Sequence, residues 1–324
     1  MRPICAVFLM SVVAIAACLP ASAQQVSDPD YKPAIAQPAW KPDAGPVVLL
    51  DEAHFNFHTA SGRYEPFARV LRQDGYRVVA SKSKFSAESL KQGQILVISN
   101  ALSEQVSKDW SAPPASAFAD AEIASVREWV RNGGSLLLIA DHMPMGAAAE
   151  KLAAAFGVTW NNGYAIRPSA PGPIVFRRAD GSLADHPITN GRNATERVDD
   201  IATFTGSAFQ PPEGAEALLT FRWETQSFLP RKPGEFLPDT PRTDVTNWNQ
   251  GAVLRVGKGR AAFFGEAAMF TAQVVGPQKQ RFGMNSPEGA RNAQFLVNTL
   301  HWLSGLLDEG VGKDEQGSGG KSTR

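Results

Sequence analysis

Beyond its first residues the chain has no cysteine, since Cys5 and Cys18 are the only two in 324 residues. A body without cysteine has no disulfide, no thiolate nucleophile and no sulfur ligand for a metal. A charge excess is also missing, because 32 Lys and Arg balance 32 Asp and Glu. With no net field and no basic run interleaved with aromatics, nucleic acid is not an expected partner. No apolar run after Leu19 is long enough to cross a bilayer. No G-x-S-x-G elbow is present, and no Ser follows a strand beside a plausible base, which argues against serine catalysis.

A phosphate loop of the form G-x-x-x-x-G-K-S/T is absent as well, and this decides how to read Val47-Val-Leu-Leu-Asp-Glu-Ala-His54. Those residues spell the acidic motif of DEAH-type ATPases, in which an Asp holds magnesium and a Glu activates water. That chemistry requires the missing loop upstream. Gly319-Gly320-Lys321-Ser322 lacks the first glycine and falls on the wrong side of the motif. The nucleotide reading is therefore set aside.

What is present begins with Met1-Arg2, an apolar run from Ile4 to Leu19 and the exit Pro20-Ala21-Ser22-Ala23. This order is that of a secretory signal, with cleavage expected after Ala23 and a periplasmic or secreted product. The alternative is a lipoprotein, because Ile15-Ala16-Ala17-Cys18 resembles a lipobox and would leave Cys18 as the anchor. Residues 24–46 are rich in Pro, Ala, Gln and Asp and form a leader that either hugs the domain or swings free. One α/β domain is expected over 47–307, and the Gly- and Ser-rich stretch 308–324 is expected to be disordered.

Within the domain, apolar runs at 47–50, 95–98 and 135–140 show no polar alternation, as strands buried on both faces do. Tyr76 to Ala80 is a further strand. Helices are expected at 62–74, where Phe67, Val70 and Leu71 share a face, at 120–132 and at 146–156. These features predict a flavodoxin-like, doubly wound parallel sheet. Pro-, Gly- and Asn-rich text at about 160–250 suggests an inserted extension of short strands. The hairpin 252–264 and an apolar helix from Asn292 to Leu307 close the domain.

Ligands in such sheets bind beyond the carboxyl ends of the strands. The expected strands end in Asp51-Glu52 with His54 and His58, in Ser99-Asn100, in Asp141-His142 and in Glu266. His54 with Asp51, or His142 with Asp141, has the composition of an acid–base pair, with Glu52 beside them. His54, His58 and His142 with one carboxylate have the donor types of a divalent-metal site; no other cofactor is expected. Asn56, Asn100, Glu266 and Trp223 are candidate ligand contacts, Trp223 by stacking on a sugar ring. Each also has a plain structural reading. Asp51 caps a turn, the two histidines order a loop, Glu266 caps the short helix after it, and Trp223 belongs to the core.

The block from Trp129 to His142 (WVRNGGSLLLIADH), the turn His186-Pro-Ile-Thr-Asn-Gly191 and the hairpin Gly257-Lys-Gly-Arg260 resemble the class I glutamine amidotransferase-like superfamily. The nearest branches are the trehalose-utilisation (ThuA-like) and gliding-motility (GldG-like) ones. The resemblance implies the flavodoxin-like fold and a catalytic cysteine after the strand that here ends at Ala140. Asp141-His142 stands in that place, so glutamine hydrolysis through a thioester is excluded. Two functions follow as expectations. One is binding of a small polar, sugar-like ligand at the strand ends, with hydrolysis or isomerisation; the other is a non-catalytic binding or scaffold domain of a cell-envelope system.

Overall fold

The structure, a computed structural model, describes residues 25–308. The expected signal with its Cys18 alternative, and the tail from 309 onward, lie outside the described residues.

Strands Val47–Asp51, Ile95–Ser99 and Ser135–Ile139 are buried at every position. Their apolar side chains go to both faces of one sheet, which is why the sequence shows no alternation there. Five strands run parallel in the spatial order Arg77–Ser81, Val47–Asp51, Ile95–Ser99, Ser135–Ile139 and Gly259–Phe264. In chain order this is 2-1-3-4-5, the flavodoxin-like arrangement expected from the sequence. The order reverses between the first and third strands, so a crevice opens beside Asp51 and Ser99.

Two cores sandwich the sheet. On one face, helices Glu65–Gln73 and Asn292–Leu303 bury Phe67, Val70, Leu71, Phe295 and Leu300. On the other, helices Asp120–Arg131 and Met145–Ala154 bury Val126, Val130 and Leu152 with Phe118 and Phe85. Each such side chain contributes about 1.5–3 kcal/mol relative to exposure. Two glycines are fixed by their surroundings. Gly75 ends the first helix at φ 95°, and a Cβ on Gly134 would lie 2.3 Å from the Trp129 indole. The second contact explains Gly134, and Gly133 before it takes φ 118°.

The stretch expected as an insertion is less separate than its composition suggests. Thr159–Trp160, Phe209–Gln210 and Glu216–Thr220 extend the main sheet antiparallel beyond Asn249–Val256. Tyr164–Ile166, Gln226–Phe228 and Arg242–Asp244 form their own three-stranded sheet, and Ile174–Arg177 pairs with Asp200–Thr203. Two-residue strands carry too little periodicity to be seen in a sequence. The leader hugs the domain: Gln25–Ser27 pairs with Ala272–Val275, and Ile35 is buried in the core. No described helix is long and apolar enough to cross a membrane.

Candidate functional site

Residues 52–59 are not helical, and this decides the fate of the two histidines four positions apart. A helix would have placed them on one face; the irregular loop sends them to opposite faces of the sheet.

His54 turns toward helix Asp120–Arg131. Its ring is fully buried between Phe85 and Phe118, with centroids 4.5 and 4.9 Å away. Nδ1 lies 2.9 Å from both Asp51 carboxylate oxygens, and Nε2 lies 2.9 Å from Glu122 Oε1. Glu122 in turn accepts the backbone N–H groups of Phe85 and Ala119. Burial alone would raise the Glu122 carboxyl, but those N–H groups and the His54 ring hold it below the usual carboxylate range. Asp51 also accepts from Ala53 N–H and Asn56 Nδ2, while Asn56 Oδ1 accepts His54 N–H. Glu52 accepts Ala60 N–H at 2.8 Å and holds the loop end. Asp51, His54, Asn56 and Glu122 thus form a hydrogen-bonded knot, with Glu52 tying down the loop beside it. Its Asp51 has the capping role weighed for it above.

His58 turns to the other face and stacks on Tyr64, with centroids 4.4 Å apart. Nδ1 lies 3.0 Å from Ser99 Oγ. Burial, helped by the Arg63 charge, pushes its pKa down to about 3, so the imidazole is neutral at ordinary pH.

Here the rim opens into a cavity of about 230 Å³. His58, Asn100, Asp141 and His142 line it from three strand ends, with Phe57 and Trp110 as aromatic walls. Asn100 takes φ 47°, a left-handed conformation that costs a non-glycine residue free energy, and its Oδ1 receives the Asp141 N–H at 2.9 Å. Asp141 Oδ1 accepts His142 N–H, the His142 Nδ1 lies 2.9 Å from the Met143 carbonyl, and the ring stacks on Tyr164 at 4.0 Å. Glu266 is fully buried nearby and accepts Ala268 and Met269 N–H, the cap of the 3-10 turn that follows it. Burial first, and then the Asp141 charge, hold its carboxyl well above the usual range despite those N–H groups. A carboxyl pushed up beside a second one is a common preparation for acid–base work.

The proposed metal set of His54, His58 and His142 is corrected by this geometry. Among the described residues no group of three or more His, Cys, Asp or Glu is placed to hold a metal ion. His54 has carboxylates on both nitrogens, and one nitrogen each of His58 and His142 meets Ser99 and the Met143 carbonyl. Trp223 is likewise displaced from its expected sugar contact. It packs against Phe176 with Arg167 over its ring at 4.3 Å and does not line the cavity. Of the other two histidines, His186 caps helix Pro187–Asn190, and His301 lies fully buried 2.7 Å from Asp74.

Several participants were invisible in the sequence. Glu122 was not singled out, although a glutamate at the third helical position is the mark of a capping box. Tyr64, Trp110 and Gln273 carried no local sign, because only tertiary packing brings them to the rim.

No protein-family model and no curated protein sequence matches the chain. Solved structures do. The mmIFT52 N-terminal domain superposes with a TM-score of 0.52 at 14% identity, covering 80% of this chain and 97% of that domain. A ThuA-like protein from Bacteroides uniformis gives 0.42 at 13% identity, covering 84% of this chain and 94% of that one. A second from Parabacteroides merdae gives 0.40 at 10%, covering 80% and 89%. At such identities the likeness is one of fold. The chain thus has a flavodoxin-like α/β fold by its own strand order, and the mmIFT52 N-terminal domain shares that fold.

Proposed function

We propose that the protein binds a small polar ligand of sugar-like size in the Asp141 cavity and that Asp141 and His142 supply acid–base chemistry on it. The observation that carries this reading is the convergence of Asn100, Asp141 and His142 on one open cavity at the strand ends. Trp110 offers a flat face for the apolar side of a pyranose ring, Phe57, with Arg63 over its ring at 3.9 Å, offers its edge, and Asn100 and His58 offer hydrogen bonds to hydroxyls. His58 acts as a neutral hydrogen-bonding group, since its charged form is strongly disfavoured. Asp141 is the proton acceptor. Glu266 is buried near Asp141, its carboxyl pushed up first by burial and then by the Asp141 charge.

The apolar start of the chain and Ala21-Ser22-Ala23 support export to the periplasm or medium, with lipidation at Cys18 as the alternative. A non-catalytic binding or scaffold role has one observation in its favour, the commitment of Asp51, Glu52, His54 and Glu122 to holding loops together. Calorimetry with a panel of monosaccharides and their methyl glycosides tests the main reading. Binding by the wild type that is lost in Asp141→Asn with the fold intact supports it. Binding without turnover selects the non-catalytic role, and no binding by any member defeats the sugar-like reading.

A further inference from the structure

A second cavity of about 350 Å³ adjoins the first and has the opposite character. Ala165, Ile166, Pro171, Ile174 and Phe236 line it, and no ionisable carboxylate or amine does. Phe204 and Thr205 line both cavities, so the two share a wall. Tyr164 belongs to the apolar cavity while its ring stacks on His142 of the polar one. The wall of the apolar cavity reaches the surface: Phe236 is 46% exposed, its chain neighbour Leu237 is exposed as well, and its ring lies 6.2 Å from that of Phe228, the residue before exposed Leu229. Exposed aromatic and aliphatic side chains gathered at the mouth of a cavity mark a site for an apolar partner.

The polar cavity carries a matching sign. Gln273 is 4% exposed and lines it, its Nε2 donates to Thr271 Oγ1 at 2.7 Å, and its Oε1 has no hydrogen-bond partner. A buried acceptor without a donor costs free energy until one arrives. Hydroxyl groups are such donors.

Resting on the reading that the Asp141 cavity binds a sugar-like group, we infer that the ligand is amphiphilic. Its hydroxylated head occupies the polar cavity and donates to Gln273 Oε1, and an alkyl or aryl substituent crosses Phe204–Thr205 into the cavity under Phe236. The substrate class is therefore a glycoside or polyol conjugate with an apolar substituent, and free sugars are the weaker ligands.

Calorimetry with methyl, butyl and hexyl glycosides of glucose, galactose and mannose tests this. In the wild type the affinity for the recognised head rises by up to about fourfold per added methylene, the gain for moving a CH2 out of water. Phe236→Asp, at an exposed position, flattens that rise and leaves methyl glycoside affinity unchanged; Ile166→Gln does the same. If methyl glycosides bind but affinity does not grow with chain length, or grows equally in both variants, the amphiphilic inference is overturned and the sugar reading stands. If no glycoside of any length binds, both fall.

Discussion

His54 and His58 lie on one loop, four residues apart, and the two sites they enter could hardly differ more. Around His54 the polar groups are matched: Asp51, Glu122, Asn56 and two backbone N–H groups close a hydrogen-bonded knot. Around His58 the same residue types border a cavity in which Gln273 Oε1 lacks a donor and Asn100 is held in a costly backbone conformation. Ionisable residues at strand ends are thus not a site by virtue of their types. Unspent hydrogen-bonding capacity beside open space distinguishes the second group from the first.

The contrast can be broken most forcefully at the knot. His54→Ala leaves the buried Asp51 carboxylate facing Glu122 without the ring between them. It should destabilise the protein by about 3–5 kcal/mol in urea unfolding, and a loss below 1 kcal/mol would remove the structural assignment. Next in size is the pH dependence set by His58. Its folded pKa, about 3, lies below the ordinary 6.5. The unfolded chain therefore binds the extra proton first, and the contribution of neutral His58 is complete above pH 6.5 and lost progressively toward pH 3. The slope in that window reaches at most about 1.4 kcal/mol per pH unit. His58→Asn should flatten it in unfolding curves taken across the same range.

Smaller still is the effect of Asp141→Asn on stability, expected within about 1 kcal/mol because the side chain gives up little more than a bond to His142 N–H. Its ligand affinity should nevertheless fall at least tenfold, the reverse of the pattern at His54. Trp223→Phe sharpens the boundary of the site with the least effect of all. Losing the contact with Arg167 should cost about 0.5 kcal/mol of stability and leave sugar affinity unchanged. A drop in affinity would bring Trp223 back as a ligand contact.

The fold was largely written in local patterns. The apolar runs at 47–50, 95–98 and 135–140 and the amphipathic helices between them specify a parallel sheet, and the strand ends placed Asp51, Asn100, Asp141 and Glu266 on one rim. Which of these residues meet was not legible. The direction each loop side chain takes depends on non-helical backbone at 52–59 and on partners distant in sequence, such as Glu122 for His54 and Ser99 for His58. Trp223 misled for the same reason, since an aromatic in polar text reads alike whether it faces a sugar or an arginine. The apolar cavity was hidden too, because its walls come from strands of three or four residues, too short for a periodic pattern.

The division between knot and cavity is tested most directly by measuring glycoside affinity and unfolding free energy together on His54→Ala and Asp141→Asn. The predicted result is crossed: His54→Ala loses stability and keeps its affinity under conditions where it remains folded, and Asp141→Asn keeps stability and loses affinity. The opposite crossing, with binding lost at a stable His54→Ala and retained in Asp141→Asn, would contradict it and move the working site to the knot.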